Sequence, residues 1–375
     1  MKIESKFEQV KLDSMLSVLE SGKRPKGGVG EYQNGIPSLG GEHIGLNGKI
    51  KVFKDNLKFV PVEYFEKSKQ GKIKNLDILI CKDGALTGKI ALFYKNDIDF
   101  PQSIINEHVF LLRTNQNTNQ KYLFNILFSS KGQELLKSNI SGQAQGGLNR
   151  ANLLNIKIPL PPKEVQEKIV TEIDKLEKRD IKALEGIKKF QNSISQYIQE
   201  LNNHSKINLS DIAENWDSKR KPVTKGDRTK GKYPYYGASG IVDYVSGFIL
   251  DDTVLLISED GANLKSRVYP IAFTASGKIW VNNHAHILKF DNIATHKLVE
   301  LYINQLDISE YITGQAQPKL NQNNLNNIKI PLPPVKEQER IVAEIEKLEI
   351  KIKALEKQIA EIPKLKENIL KKHLE

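Results

Sequence analysis

Residues 142–162, GQAQGGLNRANLLNIKIPLPP, occur again with little change as residues 314–334, GQAQPKLNQNNLNNIKIPLPP. At a fixed offset of 172 and without gaps, 16 of the 21 positions are identical. Chance does not produce such agreement, so the chain carries an internal duplication and its fold is to be read as two copies of one unit. Each copy closes on a proline pair, Pro161-Pro162 and Pro333-Pro334. These stop the preceding strand and set where the next element starts.

A charged segment of helical periodicity follows each pair, opening as KEVQEKIV at 163–170 and VKEQERIV at 335–342. Both carry heptads. In the first, Ile173, Ile187, Ile194 and Leu201 take one seam position, with Asp180 interrupting the set. Ile169, Leu176, Ala183, Phe190 and Tyr197 take the other. In the second, Ile345, Ile352 and Ile359 pair with Ile341, Leu348, Leu355, Ile362 and Ile369. A stripe this regular predicts two helices of roughly 55–60 Å, too long and narrow-striped for globular core helices. Antiparallel pairing would carry a globular half to each end of one rod. The seam residues expected to meet are Ile169, Ile173, Leu176, Ile187, Phe190 and Ile194 against Ile341, Ile345, Leu348, Ile352, Leu355 and Ile359. Pro363 falls inside the second seam and is expected to kink or interrupt that helix. The plainer alternative is that each helix packs only on its own domain.

Upstream the duplication loosens. Arg24-Pro25 matches Lys221-Pro222, followed by Pro37 and Gly40 against Pro234 and Gly237. Residues 78–85, ILICKDGA, resemble 255–262, LLISEDGA, and His108 and His284 follow in similar settings. The offset falls from 197 to 177 to 172, so the first copy holds about 20 extra residues around 45–75, including Lys67, Lys69, Lys72 and Lys74. Two halves that share a scaffold and differ in loops suit two modules with different targets.

Within each half, short apolar and β-branched runs such as 77–80, 90–93, 109–112, 253–257 and 285–288 alternate with Gly, Asn and Asp turns and read as strands. Helical stretches are expected near 119–139 and 294–312. The fold class is therefore α+β: two globular domains with bent sheets, at 1–158 and 206–330, and two long helices within 159–205 and 331–375 that form an antiparallel coiled coil with a pseudo-two-fold repeat.

Lys and Arg outnumber Asp and Glu by 56 to 45. The excess lies mainly in residues 1–162, with 23 cations against 15 anions, whereas 163–205 balance at 8 and 8. The remaining segments carry 15 against 13 (206–334) and 10 against 9 (335–375). A basic surplus favours a polyanionic partner without requiring one. No apolar run approaches the roughly 20 residues that span a bilayer, and the N-terminus lacks a signal-peptide core, so a cytoplasmic location and no membrane partner are expected. A single cysteine, Cys81, excludes an internal disulfide and a cysteine-rich zinc site.

Enzyme motifs are nearly absent. Residues 84–90, GALTGKI, fall one residue short of a phosphate loop and place Ile where the magnesium-binding hydroxyl belongs. There is no Asn-Pro-Pro or Asp-Pro-Pro aromatic tetrad, no GxGxxG after a strand and no Pro-Asp pair to begin a common nuclease motif. No catalytic residue, cofactor or metal site is expected. His284 and His286 share a strand face, but without a third ligand a packed or hydrogen-bonded pair is the simpler reading.

Signals for nucleic acid are stronger. Residues 219–232, KRKPVTKGDRTKGK, hold many cations in a Gly/Pro loop that precedes the aromatic run Tyr233-Pro234-Tyr235-Tyr236. Lys219, Arg220, Lys221, Lys225, Arg228 and Lys230 are candidates to neutralise phosphates, with Arg able to reach guanine edges, and Tyr235 and Tyr236 stand beside them. Lys23, Arg24 and Lys26 form the shorter counterpart in the first half, joined by Lys67 and Lys69 from its insertion. A solvated basic loop is the plain alternative for either segment. Gln143, Gln145, Gln315 and Gln317 are read as mainly structural, capping a helix or holding the linker, with phosphate contacts as a further role.

The twice-occurring pattern GQAQ, LN, NL, NIKIPLPP and Q.IV, followed by a heptad helix and preceded by a variable domain, resembles the specificity subunit of type I restriction–modification systems. The resemblance covers essentially the whole chain. It implies two target-recognition domains that each read one half of a split, asymmetric target on double-stranded DNA, with the paired helices as a ruler. It further implies two methyltransferase subunits, which bind S-adenosylmethionine and methylate adenine at N6, and ATP-using motor-nuclease subunits in a larger complex. Chemistry and cofactors would then belong to partners. A modification-only system and a coiled-coil scaffold binding protein remain the alternative readings.

Overall fold

The computed structural model describes residues 2–26, 28–29, 32–52, 56–141 and 146–375. The chain divides into two compact units, Met1–Lys182 with Gln358–Glu375, and Ala183–Lys357.

The first unit contains β1 (Gln9–Lys11), β2 (Leu16–Ser21), β3 (Ile36–Leu39), β4 (Lys58–Val60), α1 (Val62–Lys67), β5 (Ile78–Cys81), β6 (Ile90–Leu92), β7 (Ile104–Ile105), β8 (Val109–Thr114), α2 (Gln120–Phe128), α3 (Ser130–Ser138), α4 (Arg150–Leu154) and β9 (Lys157–Pro159). It also holds the start of α5 (Lys163–Glu200). One sheet runs β2-β8-β5-β6, a second β4-β3-β7, and β1 pairs with β9. Strand β5 is buried on both faces, and its period of two assigns its residues to separate cores. Ile78 and Ile80 join Phe110, Leu112, Tyr122 and Leu123 under the helices. Leu79 and Cys81 join Leu39, Ile105, Val109 and Leu111 on the other side. The helical stretch expected near 119–139 is two helices, because Ser129 leaves helical geometry and its side chain accepts the Gly132 N–H at 3.1 Å. A Cβ on Gly132 would stand 2.0 Å from the Ile126 carbonyl oxygen, so glycine is required at this junction.

The second unit follows the same plan with β10 (Lys206–Asn208), β11 (Glu214–Asn215), β12 (Lys230–Gly237), β13 (Gly240–Val245), β14 (Leu250–Ser258), α6 (Asn263–Ser266), β15 (Ala272–Val281), β16 (Ala285–Lys289), α7 (Ile293–Gln305), α8 (Gln322–Asn326) and β17 (Lys329–Pro331). Helix α9 (Val335–Leu374) begins here. Its sheet order is β11-β16-β14-β15-β12-β13, with β10 on β17. Strand β14 again divides its side chains: Leu255 and Ile257 face Leu298, Val299 and Ile303, while Val254 and Leu256 face Ile279, Val281 and Ile287. Strand β3 pairs antiparallel with β4 and parallel with β7, and β12 relates in the same way to β13 and β15. The element common to both units is this three-strand corner, and the inserted residues lengthen its connection in the first.

Much of the repeated motif shapes the fold. Asn149 caps α4 by accepting the Asn152 N–H at 2.8 Å, and Asn321 caps α8 through Asn324 at 2.9 Å. Gln166 and Gln338 are buried, each donating to the first carbonyl of its proline pair, Pro161 at 2.9 Å and Pro333 at 2.8 Å.

The long helices meet antiparallel within both units. In the first, Glu177 accepts from Lys366 at 2.6 Å, and Glu172 meets Lys372 and His373 at 3.1 and 2.9 Å. In the second, Leu355 packs on Gly186 and Lys351 lies over the Phe190 ring. A Cβ on Gly186 would come within 2.9 Å of the Leu355 Cδ1 methyl, so the two helices approach closely at this point. Of the expected seam, Ile169, Ile173 and Leu176 are buried in the first unit, and Ile341 and Ile345 in the second. Ile187, Phe190, Leu348, Ile352, Leu355 and Ile359 are half-buried along the seam, and Ile194, also half-buried, packs against the core of the second unit.

Two expectations for α9 are corrected. The helix runs unbroken through Pro363, so the proline does not interrupt it. Beyond that point Leu370 and Leu374, rather than Ile369, become the buried residues. There α9 packs on a globular core, where the 3.6-residue turn replaces the 3.5-residue heptad and the seam drifts by one position.

Candidate nucleic-acid interface

In the second unit the segment 219–232 is not a free loop. It contains short 3-10 turns at Asp217–Lys219 and Lys225–Asp227 and then enters β12. Lys219, Lys221, Lys225 and Lys230 are exposed, as is Lys232. The arginines differ. Arg220 is drawn inward, with Nη1 on Glu259, Nη2 3.3 Å from Asp217 and Nε donating to the Asp217 carbonyl. Arg228 donates to the Val223 carbonyl at 3.1 Å and to Asp243 at 3.2 Å, and its guanidinium lies 4.3 Å over the Tyr235 ring.

Tyr235 is 1 % exposed and accepts the Val223 N–H at 2.9 Å, so it anchors the basic segment from inside and is corrected from a surface candidate to a core residue. Tyr236 is half-buried and stacked on Phe273. The aromatic groups at the surface here are Tyr244 and Phe248, on and just after β13. They were missed because β13 lacks the charge that drew attention to 219–232. Lys278 lies over Phe248.

In the first unit Lys23, Arg24, Lys26, Lys67 and Lys69 are exposed. Although about 45 residues apart in sequence, the two groups share a region. Gln70 donates to the Ser21 carbonyl at 2.7 Å and the Gly71 N–H donates to Glu20 at 2.6 Å, which ties the segment after α1 to the end of β2. Lys82 adds a cation beside Ser21 at 3.1 Å. Arg24 pairs with Glu107 and lies 2.9 Å from Nε2 of His108.

An Asp–His pair stands at matching places in both units. His108 Nδ1 lies 2.5 Å from Asp83, and His284 Nδ1 lies 2.8 Å from Asp260. Asn106 and Asn282 each accept the histidine's backbone N–H, at 2.9 and 2.8 Å. The parallel settings of His108 and His284 in sequence were the signal for this. His286 does not share a ligand site with His284: it is buried, with Nδ1 2.6 Å from Asp217 and Nε2 2.8 Å from the Leu320 carbonyl. Burial alone would raise the Asp217 carboxyl, but hydrogen bonds from His286 and Ile287 and the charge of Arg220 hold it below the ordinary carboxylate value. Among the described residues no cluster of three or more His, Cys, Asp or Glu could hold a metal, and no helix is long and apolar enough to cross a membrane.

Duplicated α+β units, each with exposed lysines on its own loops and each followed by a long helix, define a class of two-part proteins suited to reading an extended polyanion. The type I restriction modification DNA specificity domain matches residues 4–190 and again 202–364. The chain belongs to that family, the specificity subunits that recognise DNA targets in type I restriction–modification systems. It is 26% identical to the type I restriction enzyme MjaVIII specificity subunit of Methanocaldococcus jannaschii, over 99% of this chain and 92% of that protein. It is 36% identical to the putative specificity subunit S.HindORF215P of Haemophilus influenzae over 36% of this chain and 34% of that one. The fold is shared with the S subunit from M. genitalium (TM-score 0.57, 16% identity, covering 100% of this chain and 98% of that one). It is also shared with a chain solved for the complex assembly and conformational transition of the type I R-M system (TM-score 0.60, 18% identity, 100% and 99% covered).

Proposed function

We propose that this chain is the non-catalytic reader of a bipartite, asymmetric DNA target, and that it directs adenine-N6 methyltransferase and restriction subunits to that target in the cytoplasm. Residues 1–158 and 206–330 each read one half, and the antiparallel helices set the gap. The observation that carries the reading is one scaffold built twice with different exposed cations: Lys23, Lys26, Lys67 and Lys69 on one copy, and Lys219, Lys221, Lys225 and Lys230 on the other. Copies of one scaffold with unlike loops suit unlike half-sites along a duplex, and exposed lysines position a protein on phosphates. Arg220 and Arg228 serve the reader by shaping its loop, because both are engaged with carboxylates.

The test is co-expression with the methyltransferase subunit and mapping of modified adenines. Exchange of residues 206–312 for those of a relative should change one half of the methylated motif and leave the other. A change in both halves would end the two-reader model. Replacing Lys225, Lys230 and Lys232 by Glu should weaken DNA binding at least tenfold and flatten its salt dependence by about 0.9 for each phosphate no longer neutralised. Unaltered affinity and slope would remove this segment from the interface.

A further inference from the structure

The Asp–His pair recurs in the two units with its surroundings intact. Each aspartate follows an apolar strand, and the next residue is a glycine at positive φ, Gly84 at +80° and Gly261 at +105°, which bends the chain there. The histidine backbone is held on both sides. Asn106 and Asn282 accept its N–H at 2.9 and 2.8 Å, and its carbonyl accepts the N–H of Lys82 or Glu259 at 2.9 Å. A carboxylate only accepts, so Nδ1 carries the hydrogen in each pair and Nε2 is the atom whose state varies. His286, two residues beyond His284, is what a purely structural histidine looks like in this fold. It is buried and both its nitrogens are used, by Asp217 and by the Leu320 carbonyl. His108 and His284 instead keep 42% and 51% of their side chains exposed. Nε2 of His284 makes no hydrogen bond among the described residues. Nε2 of His108 meets two solvent-accessible groups, Arg24 at 2.9 Å and Glu107 at 3.1 Å.

The basic segments border both pairs. Arg24, between exposed Lys23 and Lys26, reaches His108, and Arg220 donates to the Asn283 and Ala285 carbonyls on either side of His284, at 3.4 and 3.3 Å. The charges within reach of each ring differ in kind and agree in sum. Asp83, Glu107 and Arg24 leave one net negative charge around a neutral His108. Around His284, Asn283 stands in the place of Glu107, no cation is within hydrogen-bonding reach among the described residues, and Asp260 leaves the same single charge. Farther out, Lys82 donates to Ser21 in the first unit, and in the second Arg220 and Lys319 are matched by Asp217 and Glu259. Protonation of either ring therefore cancels the charge around it and turns Nε2 from an acceptor into a donor. A feature repeated in two readers of unlike sequences does not distinguish bases, so it belongs to the part of a duplex that does not vary, its phosphates. The glutamines of the repeated motif form no comparable pair: Gln143 and Gln145 lie outside the described residues, and Asn321, not Gln315 or Gln317, caps the helix after the second copy.

We propose that Asp83–His108 and Asp260–His284 are proton-dependent phosphate contacts, one in each unit, through which duplex DNA is held more tightly as pH falls. The assignment rests on the DNA-reading function proposed above. A phosphate at Nε2 accepts its N–H in a charge-assisted hydrogen bond, so binding takes up a proton at each pair. Above the range where histidine titrates, each pair instead turns a net negative charge towards the backbone.

The experiment measures the affinity of the full chain for a mixed-sequence duplex between about pH 6 and about pH 8.5, the range in which an ordinary histidine gives up its charge. Affinity of the unaltered chain should fall at least tenfold across it. The salt slope should shrink by up to about 0.9 for each pair as its phosphate is released. His284→Gln should remove one of the two contributions, and His284→Gln with His108→Gln should flatten the response, with melting temperatures followed to establish folding. His284→Arg, which keeps a cation at every pH, should lessen the response as His284→Gln does yet bind more tightly at the high end. Proton uptake by the unaltered chain, read from binding heats in buffers of unlike ionisation enthalpy, tests the same point without any substitution. Zero uptake at about pH 7 overturns the assignment, as does a folded double variant that keeps the full pH response. A response present on the methylated motif and absent from the mixed-sequence duplex gives the pairs to base edges and overturns it too. An unaltered chain with no salt-dependent affinity for duplex DNA at any pH would instead defeat the proposed function itself.

Discussion

In the first unit Arg24 lies exposed between Glu107 and His108, whereas its sequence counterpart in the second, Lys221, is exposed and the neighbouring Arg220 is drawn inward to Asp217 and Glu259. The difference extends to the buried charges. The first unit holds Asp77 against Arg113, with two hydrogen bonds of 2.7 Å, at the edge of its inserted segment. The second holds Asp217 with His286 and Arg220 behind its basic segment. Both place a buried carboxylate where a divergent loop joins the shared sheet. The scaffold is kept by apolar alternation, and each loop is fixed by its own ionic anchor.

Removing the anchors is the strongest way to break that comparison. Asp217→Ala leaves His286 and the Ile287 N–H without their acceptor and should cost about 3–5 kcal/mol. Both tryptophans, Trp216 and Trp280, lie in the second unit, so intrinsic fluorescence during denaturation reports this loss. Asp77→Ala should cost a similar amount, seen by circular dichroism, while the fluorescence transition stays in place. Coincident shifts by both probes would mean that the units unfold as one.

Acid offers a second separation. His296 in α7 is buried, and burial together with Lys289 and Lys297 lowers its pKa from 6.5 to about 4. The unfolded chain gains a proton near pH 6.5 that the folded chain refuses until about pH 4, so stability falls as pH drops through that window. The loss should approach about 3 kcal/mol in the fluorescence transition, and His296→Gln should flatten it. A pH-independent transition in the unaltered chain would contradict the buried, neutral histidine.

A smaller effect is expected at Pro363, whose missing N–H leaves the Ile359 carbonyl without its helical donor. Pro363→Ala should stabilise the first unit by about 1–3 kcal/mol, seen by circular dichroism, with the fluorescence transition unchanged. No gain would mean that neighbouring packing already compensates.

Much of the fold was legible because it rests on periodic signals. The repeat at 142–162 and 314–334, the heptads and the alternating strands at 78–81 and 254–257 each express a local geometry in one dimension. Site chemistry was legible only as composition. Lys225 and Arg228 look alike in sequence, yet one is exposed and the other is held by Asp243 and Tyr235. No spacing rule separates them, because their partners come from a different strand.

The sequence by itself determined that the chain is one unit built twice, that its sheets are apolar on alternating faces and that each unit ends in a long amphipathic helix, since duplication and periodicity are properties of the chain's order. Only the tertiary structure decided which cations stay in water and which meet carboxylates, that Tyr235 faces inward and that α9 continues through Pro363. Those outcomes depend on groups far apart in sequence whose desolvation and pairing are settled once packing brings them within a few ångströms.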